Sequence, residues 1–388
     1  MPPTHPTSKL PRRTLLRGGA VAAAALMGAS ALWPRDGAAT GAAPPKLRLI
    51  THGSLPSGTT FKDTLVGGLS GLAHDPASDL WYALSDDRSR HAPARCHVFR
   101  LPPLAAGQPL LPEWVDVITL RRADGRPFAR QEVDPEALVL RHDAASGHTT
   151  LLWASEGNVR RRIAPALYES ALDGRLLREL SLPAHLREIG HLRRGPRNNE
   201  ALEGLALTPG GQHAWAAMES ALTQDQSALT PGAPPGPCRI TRFDLATGRA
   251  DRQVAYLPEP EPFGPAMPHG PAESGVSEIL LRDSQRLWVL ERAWSLATGV
   301  SVRLYEADLD GGSDTLQAAR LHAGRYRPVP KRLLLNLRDT ALPHVDNFEA
   351  MAWGPRLPNG HRTLVMCSDD NFNPLQVTQF VGFEVMAE

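Results

Sequence analysis

The chain has 388 residues, of which 42% are hydrophobic and 21% charged, a balance that excludes a disordered chain, a collagen-like repeat and a polytopic membrane protein. The formal net charge is +1, and the first forty residues distort it, carrying Lys9, Arg12, Arg13, Arg17 and Arg35 against Asp36 alone. The remainder is close to −3 (37 basic, 40 acidic residues), so no basic field exists to follow a nucleic-acid backbone. Cys96, Cys238 and Cys367 are far apart and odd in number, which supplies neither a disulfide framework nor zinc-ligand spacing and allows one disulfide at most.

Residues 1–43 form an address rather than a domain. Pro11 to Arg17 read PRRTLLR, and an apolar, small-residue run from Gly18 to Trp33 follows, too short and alanine-rich for a membrane span. The paired Arg12 and Arg13 resemble a twin-arginine signal, with Pro11 and Leu15 departing from the usual pattern and a general secretory signal as the alternative. Ala29-Ser30-Ala31 fits a small-x-small cleavage site, and residues 37–43 offer another; no lipobox cysteine accompanies either. The expectation is a free periplasmic or secreted protein that meets the twin-arginine export machinery, with no stable membrane anchor and no nucleic-acid partner.

From residue 44 to 388 the expectation is one all-β domain. Short apolar runs are punctuated by 33 glycines and 36 prolines, which favours many strands joined by turns. The strand Lys46 to His52 has no hairpin of its own. Five hairpins then repeat one pattern, in which a small or acidic residue opens an apolar strand and the returning strand ends in acid. The first runs from Ser70-Gly71-Leu72-Ala73 to Ser85-Asp86-Asp87, and the second from Glu136-Ala137-Leu138-Val139 to Ser155-Glu156. The third runs from Glu203-Gly204-Leu205-Ala206 to Met218-Glu219, the fourth from Glu278-Ile279-Leu280-Leu281 to Leu290-Glu291, and the fifth from Glu349-Ala350-Met351-Ala352 to Ser368-Asp369-Asp370.

Copies begin about 66 to 75 residues apart, which suits four-stranded blades with elaborated loops. The reading is a β-propeller with five detectable blades, five or six in total, closed by pairing of the Lys46–His52 strand with a C-terminal strand over residues 376–385; a two-domain sandwich is the alternative. Trp81, Trp153, Trp215 and Trp288 share one place in the repeat and Trp353 lies in another strand, so all five are expected between blades.

In a blade the start of the first strand and the end of the second meet at one mouth near the axis. That brings together Glu136, Glu203, Glu278 and Glu349 with Asp86, Asp87, Glu156, Glu219, Glu291, Asp369 and Asp370. Converging carboxylates repel one another unless cations, Arg or Lys neutralise them or some stay protonated. With oxygen donors and no His/Cys cluster, a hard ion such as calcium suits the set better than zinc. Arg88 and Arg292 are placed to steady an anionic group. The same acids also read as struts that accept backbone N–H groups between blades. Ser70 resembles only part of a nucleophile elbow, and His74 and His344 are the histidines nearest the expected mouths.

Gly67-Gly68-Leu69-Ser70-Gly71-Leu72, Leu84-Ser85-Asp86-Asp87-Arg88, Glu203-Gly204-Leu205-Ala206, Asn347-Phe348-Glu349-Ala350-Met351 and Ser368-Asp369-Asp370-Asn371-Phe372 together resemble the bacterial "esterase-like activity of phytase", or phytase-like, family. The resemblance spans nearly all of the chain after residue 45. It implies a propeller in an exported protein and hydrolysis of phosphoesters or esters, with calcium held by the eleven acids named above. Glu203 and Glu349 would then be the catalytic carboxylates, with Arg88 and Arg292 beside them. The chain departs from the pattern at Ser70 and lacks a Lys/Arg cluster for a highly phosphorylated substrate such as phytate. Two readings stand: a monomeric, calcium-assisted hydrolase of small phosphoesters or esters, or a non-catalytic propeller that binds a small molecule or protein and uses its acids as architecture.

Overall fold

The computed structural model describes residues 44–143, 147–191, 193–226, 235–260, 272–296 and 298–386. The export-signal expectation for residues 1–43 lies outside them. In chain order the strands begin with β1 (Lys46–Ser54) and the small hairpin β2 (Thr60–Phe61) and β3 (Thr64–Leu65). Blade one is β4 (Leu69–Asp75), β5 (Leu80–Ser85), β6 (Arg95–Arg100) and β7 (Glu113–Thr119). Blade two is β8 (Pro135–His142), β9 (Thr149–Ser155), β10 (Ala166–Ala171) and β11 (Leu176–Leu180). Blade three is β12 (Leu202–Leu207), β13 (His213–Met218), β14 (Cys238–Asp244) and β15 (Arg249–Tyr256).

Blade four is β16 (Ala272–Leu281), β17 (Arg286–Ser295), β18 (Gly299–Asp308) and β19 (Lys331–Asn336). Blade five is β20 (Phe348–Gly354), β21 (Arg362–Ser368) and β22 (Gln379–Met386), with β1 as its outermost strand. The innermost strands β4, β8, β12, β16 and β20 touch in sequence and β20 returns to β4, so the ring closes at five blades and the sandwich alternative is excluded. Antiparallel pairing of Lys46 with Met386 through Ser54 with Gln379 completes the last sheet, which removes the open edge that a strand-end would otherwise leave.

Burial follows position in the blade. The second strands are buried through most of their length, as in HAWAAM of β13 and TTLLWAS of β9, because they face neighbouring blades on both sides. The outermost strands alternate or lie half exposed, as in EWVDVIT of β7. Trp81, Trp153, Trp215 and Trp288 are fully buried between blades, and Trp353 packs at a tilt of 51° against Trp288 with ring centroids 4.8 Å apart. All three cysteines are buried and free.

Every innermost strand bulges near its start. One extra residue or pair interrupts the register at Ser70 in β4, Glu136 and Ala137 in β8, Glu203 in β12, Ser277 in β16 and Glu349 in β20. A bulge re-aims a side chain relative to strict alternation. The fourth copy therefore aligns one residue earlier than the sequence pattern suggests: Ser277, not Glu278, stands where blade three has Glu203.

Candidate functional site: an acidic mouth on the propeller axis

The residue after each second strand sits beside the bulge. Asp86 donates its backbone N–H to Gly68, Glu156 to Asp134, Glu219 to Ala201 and Asp369 to Asn347. In blade four the equivalent residue is Arg292, paired with Gly275. Four blades thus bring an acid to this ring and the fifth brings a guanidinium. Asp86, Asp369 and Arg292 of this ring, with Glu136, Glu203 and Glu349 from the bulges, line a cavity of about 840 Å³ that also reaches Asp87, Arg88, Asn199, Glu273, His344, Asp346 and Asn347, and Glu156 and Glu219 stand beside Glu203.

The carboxylates fall into close groups. Oxygens of Asp134, Glu136 and Glu156 all lie within 4.8 Å of one another, and so do those of Glu156, Glu203 and Glu219. Glu156 belongs to both triads, and it also accepts the backbone N–H of Ala201, tying blade two to blade three. Arg88 donates from Nε to Asp134 Oδ1 at 2.6 Å and from Nη2 to Asn199. On the far side Arg292 donates from Nη2 to Glu219 Oε1 at 3.1 Å and holds Nε 3.1 Å from Glu349 Oε1. Asn347 donates to Glu349 at 2.9 Å, and Asp369 accepts the Asn371 N–H at 2.7 Å. Asp86 Oδ1 is buried without a hydrogen-bond partner.

Two glycines permit this crowding. Gly68 has φ +61°, and a Cβ there would stand 2.0 Å from Asp86 Oδ1. At Gly275 a Cβ would meet Glu219 Cγ at 2.7 Å and its carbonyl oxygen at 2.9 Å, so the missing side chain lets Glu219 lie against β16, directly opposite Arg292 on the paired strand β17.

Burial raises the proton affinity of nearly the whole set, because it penalises the charged form, and neighbouring carboxylates add to it. Asp86, Glu136, Glu156, Glu203 and Asp369 are pushed well above the usual carboxylate range by burial first and by one another second. Asp134 is raised by burial against the pull of Arg88. Glu219 is pushed up to about 7 by burial, with Arg292 opposing. Two guanidiniums do not neutralise this ring.

Four of the acids expected at the mouth have other work. Asp87 accepts the backbone N–H groups of Arg90, His91 and Ala92 and pairs with the buried Arg95 at 2.6 Å. Burial would raise its pKa, but Arg95 and those amides hold it below the usual value. Glu278 accepts from Leu205 and Ile279 N–H, a strut between blades three and four. Glu291 points away from Arg292, as alternation requires, and takes Tyr256 Oη at 2.6 Å and Lys331 at 2.5 Å. Asp370 accepts the Gly68 and Phe372 N–H groups, joining blade five to blade one.

Ser70 and Ser277, which replace glutamate at two bulges, donate to Pro135 and Phe348 carbonyls of the next blade. His344 lines the cavity, whereas His74 lies at the opposite end of β4, stacked on Trp81 and paired with Asp79. Asp134 is a mouth carboxylate that the repeat pattern did not include, as are Glu273 and Asp346 on the cavity wall. Asp134 stands two residues before the bulge, at a place held elsewhere by Gly68, Ala201, Gly275 and Asn347, and that recurring offset is the signal that marks it. A larger cavity of about 1030 Å³ opens beside β15 among Arg193, Arg194, Arg249 and Arg320. It contains none of the expected residues.

The family described as "Phytase-like: Esterase-like activity of phytase" matches residues 64–372. The chain belongs to the phytase-like family. No curated protein sequence matches it. Among solved structures the chain is similar to the periplasmic gluconolactonase of Pseudomonas aeruginosa, at 14% identity and TM-score 0.36 over 88% of this chain and 96% of that one. It is also similar to an N-acetylgalactosamine deacetylase from F. plautii, at 7% identity and TM-score 0.45 over 88% and 95%. A third is the catalytic domain of the Coprinopsis cinerea GH62 α-L-arabinofuranosidase, at 9% and 0.43 over 88% and 96%. Likenesses this distant say nothing about chemistry; this phytase-like chain is a five-bladed propeller by its own hydrogen-bonded sheets.

Proposed function

We propose that this phytase-like protein is an exported hydrolase of small phosphoesters or related esters, working at the acidic mouth with a hard divalent cation, calcium first. The observation that carries the reading is the pair of carboxylate triads that share Glu156. The donor set fits such an ion: every ligand atom is an oxygen, the carboxyls outnumber the guanidiniums of Arg88 and Arg292 beside them, and Asp86 Oδ1 is buried and unpartnered. Asp134, Glu136, Glu156, Glu203 and Glu219 would hold it. When bound, calcium screens the charge of the ester oxygens and acidifies a water molecule.

The chain's own residues supply the rest. Arg292, already fixed between Glu219 and Glu349, presents its guanidinium to an anionic oxygen, and Arg88 does so from the blade-two side. The walls of the cavity fix the ester beside Glu203 and Glu349. Export through the twin-arginine route to the periplasm or beyond, as a monomer, belongs to the same proposal and rests on the sequence of residues 1–43.

The test measures phosphate release from a phosphomonoester, and acid release from a carboxylester, with calcium and then with excess chelator. Release that needs calcium and falls by roughly 100-fold or more in Glu156→Gln is expected. Folded protein that takes up no calcium and releases nothing from either class would leave the acids as architecture and overturn the reading.

A further inference from the structure

The rim of the mouth is not uniform. Blades one to three surround it with charged and polar groups. Blade four instead extends past it: β16, β17 and β18 each have ten residues, while the inner three strands of the other blades have six to eight. Arg292 marks the level of the acid ring, and β17 continues beyond it to Ser295. Trp294 is two residues above Arg292 on the same face and pairs across the sheet with Val300. Both line the cavity.

The blade-five loops line the same cavity with Val345, Phe372 and Leu375. Phe372 lies in the left-handed backbone region at φ 51°, costly for an aromatic residue, and its ring stacks on His91 with centroids 4.6 Å apart. Leu375 is 89% exposed. An apolar side chain left open to water beside a polar cavity is informative where a lone surface leucine is not, because it joins Trp294, Val300 and Phe372 in one rim.

Resting on the hydrolase reading above, we propose that the mouth selects phosphoesters bearing one aromatic or branched apolar group. The phosphoryl end meets the cation-holding acids and Arg292. The apolar end lies between the Trp294–Val300 wall and the Phe372–Leu375 loop. An inositol carrying many phosphates meets this rim with charge on every side and is excluded by it.

The experiment compares binding of phenylphosphonate and methylphosphonate, neither of which is hydrolysed, to the whole protein by calorimetry in calcium chloride. Phenylphosphonate is expected to bind about tenfold or more tightly, since the ring leaves water on binding. Leu375→Ser, at an exposed loop where folding is not at stake, removes a threefold or greater part of that preference, and Trp294→Ala removes most of it. Neither variant changes methylphosphonate affinity. Equal affinities, binding of neither phosphonate, or a phenyl preference unmoved in both variants would overturn the inference. Failure of ester hydrolysis alone, with the phenyl preference intact, would instead overturn the catalytic reading and leave the rim as a binding device.

Discussion

His97 is wholly buried in blade one with neither ring nitrogen hydrogen-bonded, edge-to-face with Trp114 at 5.6 Å between ring centroids. Burial, with Arg95 adding to it, lowers its pKa to about 3. An unfolded chain takes up that proton near pH 6.5 while the folded one refuses it until about 3, so folding loses stability as pH falls below about 6.5, by roughly 1.4 kcal/mol per unit. His97→Leu should raise the melting temperature at pH 7, and raise it further at pH 5. Unchanged melting at both pH values would refute this. Gly275→Ala tests a different close contact: the added methyl displaces Glu219, costs about 1–3 kcal/mol, and should weaken calcium uptake measured by titration. A variant that melts and binds like the parent would mean the two strands separate freely at that point.

At the scale of strands and hairpins, ring closure rests partly on Glu384. It accepts from Arg48 Nε on β1 at 2.8 Å, from Asn359 at 2.7 Å, and pairs with His361 Nδ1 at 2.7 Å. Hydrogen bonds from Asn359 first, then Arg48 and His361, lower its pKa to about 2. Its contribution is complete above the unfolded value near 4.5 and is lost as pH falls through about 2. Glu384→Gln should therefore melt below the parent at pH 7, with the gap closing in acid; a gap that widens in acid would contradict the assignment. The hairpins themselves were legible because buried β9 and β13 read as apolar runs with Trp in a fixed place. Half-exposed fourth strands such as β7 and β11 carry no such pattern, and went unread. The bulge is why Glu278 was misplaced: spacing counts residues, whereas one extra residue turns the side chain to the other face. Asp87 and Asp370 look like mouth acids because they directly follow Asp86 and Asp369, and only the folded loops reveal that Asp87 is bound by Arg95 and three amides and Asp370 by the Gly68 and Phe372 amides.

For the molecule as a whole, the mouth concentrates like charge that folding must tolerate. A cation bound only by the folded ring stabilises it by mass action, about 2.7 kcal/mol at 100 times its dissociation constant. Calcium should raise the melting temperature and chelator reverse the rise, with magnesium less effective because it demands tighter octahedral coordination. Arg292→Gln should enlarge the calcium-induced rise, since it removes a fixed positive charge from the ring. Melting indifferent to calcium in the parent would count against any resident ion.

The pairing of β1 with β22 also bears on when the fold can form. Arg48 and Glu384 are 336 residues apart, so the first strand made must wait for the last before either has its partner. Blades one to four each draw their strands from one stretch of chain, whereas the fifth joins the two ends of the domain, and contacts of such long sequence separation are slow to form. Until β22 is made and docked, the edges of β1 and β21 that it joins stay unpaired. The speed of that last pairing therefore sets how long two strand edges stay open to aggregation.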